Sequence, residues 1–122
     1  MLPAGSRLRR RGDFVATLRS ARGTRVAGLL VVHVARPEAA VAVPTRVGFV
    51  VSRSVGTAVV RNRVRRRLRH LAVGQIDRLP PGSRVVVRAL PASAVATYDQ
   101  LGAALGSALD RALRQPDSAA RA

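Results

Sequence analysis

GTAVVRNRVRRRLRHLA, residues 56–72, is the stretch around which the rest of the chain has to be arranged. At roughly 100° per residue of helix, Val60, Val64, Leu68 and Leu71 fall on one stripe. Asn62, Arg65, Arg66 and Arg69 fall on the opposite side. The apolar stripe is wide enough to seat a helix on a sheet or on another helix. The polar side holds no acid at all, although a solvated helix face ordinarily interleaves both signs of charge. Arg61, Arg63, Arg65, Arg66, Arg67 and Arg69 therefore repel one another, by about a few tenths of a kcal/mol per i,i+4 pair. An external polyanion is the natural source of the missing charge. Thr57, just after Gly56, is the expected N-cap, which would set the first-turn amides beside Ser52-Arg53-Ser54, where they could help hold a phosphate.

On the N-terminal side of this helix, Thr45 to Val51 reads as a strand with Gly48 inside it, a position that suits close approach of another backbone. On the C-terminal side, Pro80-Pro81-Gly82 is a turn and Arg84 to Leu90 is another strand. A strand-helix-strand order of this length predicts that the two strands are parallel neighbours. Further upstream, Thr24 to Ala35 reads as one extended run followed by a loop at Pro37. A short helix is expected from Asp13 to before Gly23, with Phe14 and Leu18 one turn apart. The last element begins near Pro91, has Thr97 and Gln100 spaced as a capping box, and presents Tyr98, Leu101, Leu105, Ala108, Leu109 and Leu113 on one face over 98–114. Residues 1–11 form a basic tail and 115–122 a polar one, both expected to be flexible, so that 1–122 makes a single domain.

The formal net charge of +16 and pI near 12.0 make nucleic acid the first partner to consider. All the strong cations are arginine, whose planar fork suits phosphate. A coding sequence rich in G and C would yield the same Arg-over-Lys choice, so that choice carries little functional weight. Cysteine is absent, which removes disulfides and thiolate chemistry and agrees with a cytoplasmic protein. The most apolar run, Val26 to Ala35, is about half of the roughly 20 residues that a membrane span needs, and no secretory signal is visible.

Catalytic groups are sparse. Asp13, Glu38, Asp77, Asp99, Asp110 and Asp117 are isolated, so no carboxylate cluster for a two-metal nuclease can be drawn. His33 and His70 lack partners at ligand-like spacing, and no metal site is expected. Phe14, Phe49 and Tyr98 are too few for a base-stacking platform on a sheet. From its residues alone the chain is a binder of phosphate backbones rather than a catalyst.

The run RVGFVVSRSVGTAVVRNRVRRRLRH, residues 46–70, resembles the signature of the bacterial ribonuclease P protein subunit. That signature is a strand ending in Val-Ser and a basic residue, then Gly-x-Ala-Val, then Arg-Asn-Arg and basic residues at helical spacing. Asp13-Phe14 after a basic segment and Arg88-Ala89-Leu90-Pro91-Ala92 after a strand extend the likeness from about Arg7 to Leu113. The resemblance implies an α+β fold, an α/β sandwich of order α-β-β-β-α-β-α, with a left-handed β-α-β crossover through the arginine helix. General chirality would favour the right-handed form, so the hand rests on the resemblance alone.

The resemblance further implies a ribonucleoprotein endoribonuclease that removes the 5′ leader of precursor tRNA. In it the RNA subunit is the catalyst and holds most of the Mg²⁺, and the protein alone is inactive. Its partners would be the catalytic RNA and precursor tRNA, with no membrane and no protein partner required. Arg61, Asn62, Arg65, Arg66 and Arg69 match the motif that contacts RNA near the catalytic centre, and Arg53 matches the basic residue after the strand. Phe14 matches an aromatic position of the leader-binding cleft, and Leu18 and Val32 stand where relatives can carry aromatics. Two other classes remain open at this point: a structural RNA-binding protein with no part in cleavage, and a stand-alone nuclease.

Overall fold

In a computed structural model of the chain, residues 7, 23–26, 28–36 and 43–114 are described. The expected helix at 13–22 with Phe14 and Leu18, and the tails at 1–6, 8–11 and 115–122, lie outside the described residues. The elements are β1 (Gly23–Val26), β2 (Leu30–Ala35), β3 (Arg46–Val51), α1 (Ala58–Val73), β4 (Arg84–Ala89) and α2 (Tyr98–Arg114). Short 3-10 turns stand at Arg53–Val55, Ile76–Arg78 and Pro91–Ala94.

The strands form one sheet in the order β1-β2-β4-β3. β3 and β4 are parallel in register Val47↔Val85 and Phe49↔Val87, with α1 as the connection, as the strand-helix-strand order predicts. β2 runs antiparallel to β4, with Val32 opposite Val87. The expected single run from Thr24 to Ala35 is instead a hairpin: β1 pairs antiparallel with β2, and Gly28 at the turn takes φ 66°. Reversing the chain there lets a short edge strand satisfy the backbone groups of β2 that β4 does not reach.

One face of the sheet carries Leu30 and Val32, Val47 and Val51, and Val85, Val87 and Ala89 into the core. Val64, Leu68 and Ala72 of α1 and Leu101, Ala104, Leu105, Ala108 and Leu109 of α2 close over it. The two helices approach closely at Gly102, where a Cβ would stand 3.0 Å from Leu71 Cδ2. The alternate set, Val31, His33, Arg84 and Arg88 among them, faces the other way by the two-residue period of a strand.

Local chemistry sets the boundaries. Thr57 Oγ1 accepts from Val60 N at 3.3 Å and caps α1. Gly56, at φ 156°, lies so close to Val60 that a Cβ there would stand 3.0 Å from its Cγ1. Thr97 and Gln100 form the expected capping box, with Thr97 N donating to Gln100 Oε1 at 2.8 Å and Gln100 N donating to Thr97 Oγ1 at 3.1 Å. Pro91 opens a separate 3-10 turn, and the helix proper starts only at Tyr98. The Pro80-Pro81-Gly82 turn is closed by Ser83 N donating to Pro80 O at 3.2 Å. The same carbonyl accepts from the hydroxyls of Thr45 at 2.9 Å and Ser83 at 2.7 Å, which joins the start of β3 to the turn before β4.

Candidate nucleic-acid interface

α1 enters the core by one stripe and leaves its arginines on two flanks with different surroundings. On the first flank, Arg63 Nη2 donates to Ala94 O at 3.4 Å and Arg67 Nη1 donates to Ala96 O at 3.3 Å. One turn further on, His70 Nδ1 and the Tyr98 hydroxyl are 2.6 Å apart, with ring centroids at 5.9 Å. Residues 63, 67 and 70 thus follow 94, 96 and 98 in step, so this flank is bound to the segment that leads into α2. Tyr98, expected on the apolar face of α2, is instead 38% exposed, because its hydroxyl reaches the histidine rather than the core.

The second flank carries Ala58, Asn62, Arg65 and Arg69, at helical spacings of four, three and four. Here Arg65 Nη1 donates to Asn62 Oδ1 at 3.1 Å. Burial, then the positive charges of Arg7 and of Arg65, holds the Arg69 guanidinium below its usual pKa. Arg7 comes to this region from the N-terminal segment by a parallel bridge to Val47, beside Gly48 on the edge strand β3. Among the described residues, no carboxylate pairs with Arg61, Arg65, Arg66 or Arg69; Arg78 pairs with Asp110 of α2. Arg66 projects from the crest between the flanks and is exposed. Arg61 sits at the inner margin, half-buried, and its Nε is buried with no hydrogen-bond partner among the described residues. Arg53 is exposed in the turn before α1, where the hydroxyls of Ser52 and Ser54 bond to each other at 2.7 Å.

The structure therefore brings together Asn62, Arg65 and Arg69, with Arg66 beside them. Arg63 and Arg67, identical in type, belong to another surface. Arg7, from the basic N-terminal tail, is a further cation whose charge acts on Arg69, a link that residue pattern did not reveal because the two are distant in sequence. Val32 is a correction: at 1% exposure it packs within the core opposite Val87, and a nucleotide base cannot reach it. Its neighbours Val31 and His33, half-buried, lie on the other sheet face. No group of three or more His, Cys, Asp or Glu able to hold a metal ion occurs among the described residues, and no helix among them is long and apolar enough to cross a membrane.

Comparison with known proteins places these features in a family. A family model described as Ribonuclease P matches residues 2–113. The chain is 53% identical over 120 residues to the ribonuclease P protein component of Streptomyces bikiniensis, covering 93% of this chain and 96% of that one. It is 47% identical over 119 residues to the component from Acidothermus cellulolyticus, covering 97% of each. Among solved structures it is similar to the RNase P protein of Staphylococcus aureus, with TM-score 0.75 at 22% identity over 88% of this chain and 94% of that one. The RNase P protein of Thermotoga maritima gives TM-score 0.72 at 24% identity, over 86% and 96%. These two likenesses concern the fold.

Proposed function

The chain belongs to the ribonuclease P protein-component family, and from that premise we propose that it binds the catalytic RNA and the 5′ leader of precursor tRNA and assists endonucleolytic removal of the leader. The observation that carries this reading is the second flank of α1. Three cationic side chains, Arg65, Arg66 and Arg69, stand there with Asn62 and without a described carboxylate. Arginine forks so placed give bidentate contacts to phosphate oxygens, and each neutralised phosphate relieves repulsion already present in the protein.

RNA is the expected catalyst in this account and holds most of the Mg²⁺. The chain supplies charge, shape and register. Arg53 extends the RNA-facing surface before the helix, and Arg61 supports it from the core margin. The leader would run along the sheet face carrying Val31, His33 and Arg88. Replacing Phe14 is expected to weaken leader binding more than assembly with the RNA. A cytoplasmic site of action follows from the same account.

The test is cleavage of precursor tRNA at low Mg²⁺ by the catalytic RNA, with and without purified protein. The expected result is a gain in rate and in salt tolerance on adding the protein, and no cleavage by protein alone. Cleavage by the protein alone would identify a stand-alone nuclease. Binding without any gain in cleavage would identify a structural RNA-binding protein.

A further inference from the structure

We infer that two copies of the chain associate about a two-fold axis through the surface formed by the Pro91–Ala94 turn and the start of α2, each placing Val95 in an apolar groove of the other. The inference goes beyond the RNA-binding reading and uses none of Asn62, Arg65, Arg66 or Arg69.

The groove lies between the turn before β2, the Pro91–Ala94 turn and the first turns of α2. It measures about 610 Å³ and is lined by Leu29, Ala92, Ala96, Ala103 and Ala104, with Gln100 as the polar side chain of its wall. Its sides are tied together: Leu90 N donates to Leu29 O at 2.9 Å, and the buried Ser93 donates from Oγ to Leu90 O at 2.6 Å. The hollow is therefore formed before anything enters it. Val95 stands on its rim and, at 88%, is the most exposed large hydrophobic residue among those described. A large apolar side chain left in water beside an apolar hollow marks a contact surface.

Charge selects the occupant. The chain carries 22 arginines, yet none stands between Arg88 and Arg111. The exposed positions around the groove, Pro91, Ala92, Val95, Thr97, Gln100 and Ala103, are neutral, and Asp99 brings the one charge. An RNA backbone finds no cation to neutralise it on such a segment. A second copy finds a match. Where the surface lacks cations, the net charge of +16 repels least. Knob and hollow also lie side by side on one patch, as a self-complementary two-fold contact requires. Arg63 and Arg67 adjoin the patch through their bonds to Ala94 O and Ala96 O, and each guanidinium has donors left over. Asp99 has no ion pair among the described residues. An axis passing between them sets Asp99 of each copy against Arg63 and Arg67 of the other.

The experiment is sedimentation velocity on the full chain, freed of RNA, over a concentration series at low and at high salt. A monomer–dimer equilibrium with a Kd of about 100 µM is expected, as for a small interface. The dimer fraction should rise with salt, because screening removes repulsion and leaves the apolar contact intact. RNA binding has the opposite salt dependence. Val95→Asp on the rim and Ala103→Arg on the wall, both at exposed positions, should each weaken association about tenfold or more. Asp99→Arg should weaken it about fivefold, and Asp99→Arg combined with Arg63→Asp should restore it, a rescue that a merely structural role would not give. Thermal melts establish that each variant is folded. Val95→Asp should bind the catalytic RNA within about twofold of wild type, being remote from the cationic flank.

A single monomeric species at every concentration and salt would overturn the proposal and leave the groove to a partner other than a second copy, with the RNA-binding function still standing. So would a dimer indifferent to Val95→Asp and Ala103→Arg, or one that dissociates as salt rises, since charge rather than the groove would then hold it. Failure of the charge exchange to restore association would overturn the two-fold placement. A folded Val95→Asp variant that no longer binds RNA would assign this face to the RNA and overturn the second copy as its occupant.

Discussion

The two flanks of α1 use the same residue type for opposite purposes. Arg63 and Arg67 place their donors on the carbonyls of Ala94 and Ala96, with His70 and Tyr98 completing the series, and so join the helix to the rest of the protein. Arg65 and Arg69 stand beside Asn62 and near the charge of Arg7, with their repulsion unrelieved by any described acid. An arginine-rich helix is thus not a uniform basic surface. Half of it is structural, and the other half is left in want of an anion, which is the property an RNA-binding surface requires.

Removing the support of both flanks should have the greatest consequence. Val64 is 1% exposed between them in the core, so Val64→Asp would bury a carboxylate without a partner. A loss of about 3 kcal/mol or more is expected, enough to abolish the cooperative melt seen by circular dichroism. Next comes the combined change of Arg65→Ala and Arg69→Ala. It should leave the melting temperature within about 2 °C of wild type, because these groups are sources of repulsion rather than cohesion, yet weaken RNA binding about 30-fold or more. Cleavage at low Mg²⁺ reads the same loss.

The opposite pattern is expected of Arg63→Ala with Arg67→Ala. Their long, partly exposed bonds to Ala94 and Ala96 should contribute about 0.5 kcal/mol each. The melting temperature would then fall by a few degrees, with RNA affinity reduced less than threefold. Smallest of all should be Tyr98→Phe. It deletes the hydroxyl bonded to His70 while keeping the ring, and is expected to cost about 0.5 kcal/mol with no measurable change in RNA binding. If the RNA effects of the two arginine pairs proved equal, the distinction between the flanks would fail.

Much of this was legible in the chain itself. The 3.6-residue spacing of Val60, Val64 and Leu68 placed the arginine helix, the strands on either side of it fixed the parallel pair, and Thr97 with Gln100 marked the start of α2. The hairpin was hidden because Thr24 to Ala35 is apolar almost throughout, and Gly28 alone is a weak break. The same monotony concealed the facing of β2: Leu30, Val31, Val32 and Val34 are all apolar, so a period of two cannot choose a face, and the resemblance alone puts Val32 in the cleft. His33, the one polar residue of that run, was the available sign that the 31/33 set faces away. The division of the arginines could not be read from helix periodicity either. It depends on where the Pro91–Ala94 turn brings its carbonyls, a tertiary fact with no local signature.

The absence of cysteine permits a direct test of which flank meets RNA. Single cysteines introduced by Ala58→Cys, on the stripe of Asn62, Arg65 and Arg69, and by Val95→Cys, 88% exposed beside the Arg63 and Arg67 bonds, can each carry an iron chelate that cuts nearby RNA. In the complex with the catalytic RNA, position 58 should produce strong localised cleavage and position 95 little. Strong cleavage from position 95 with none from position 58 would contradict the account.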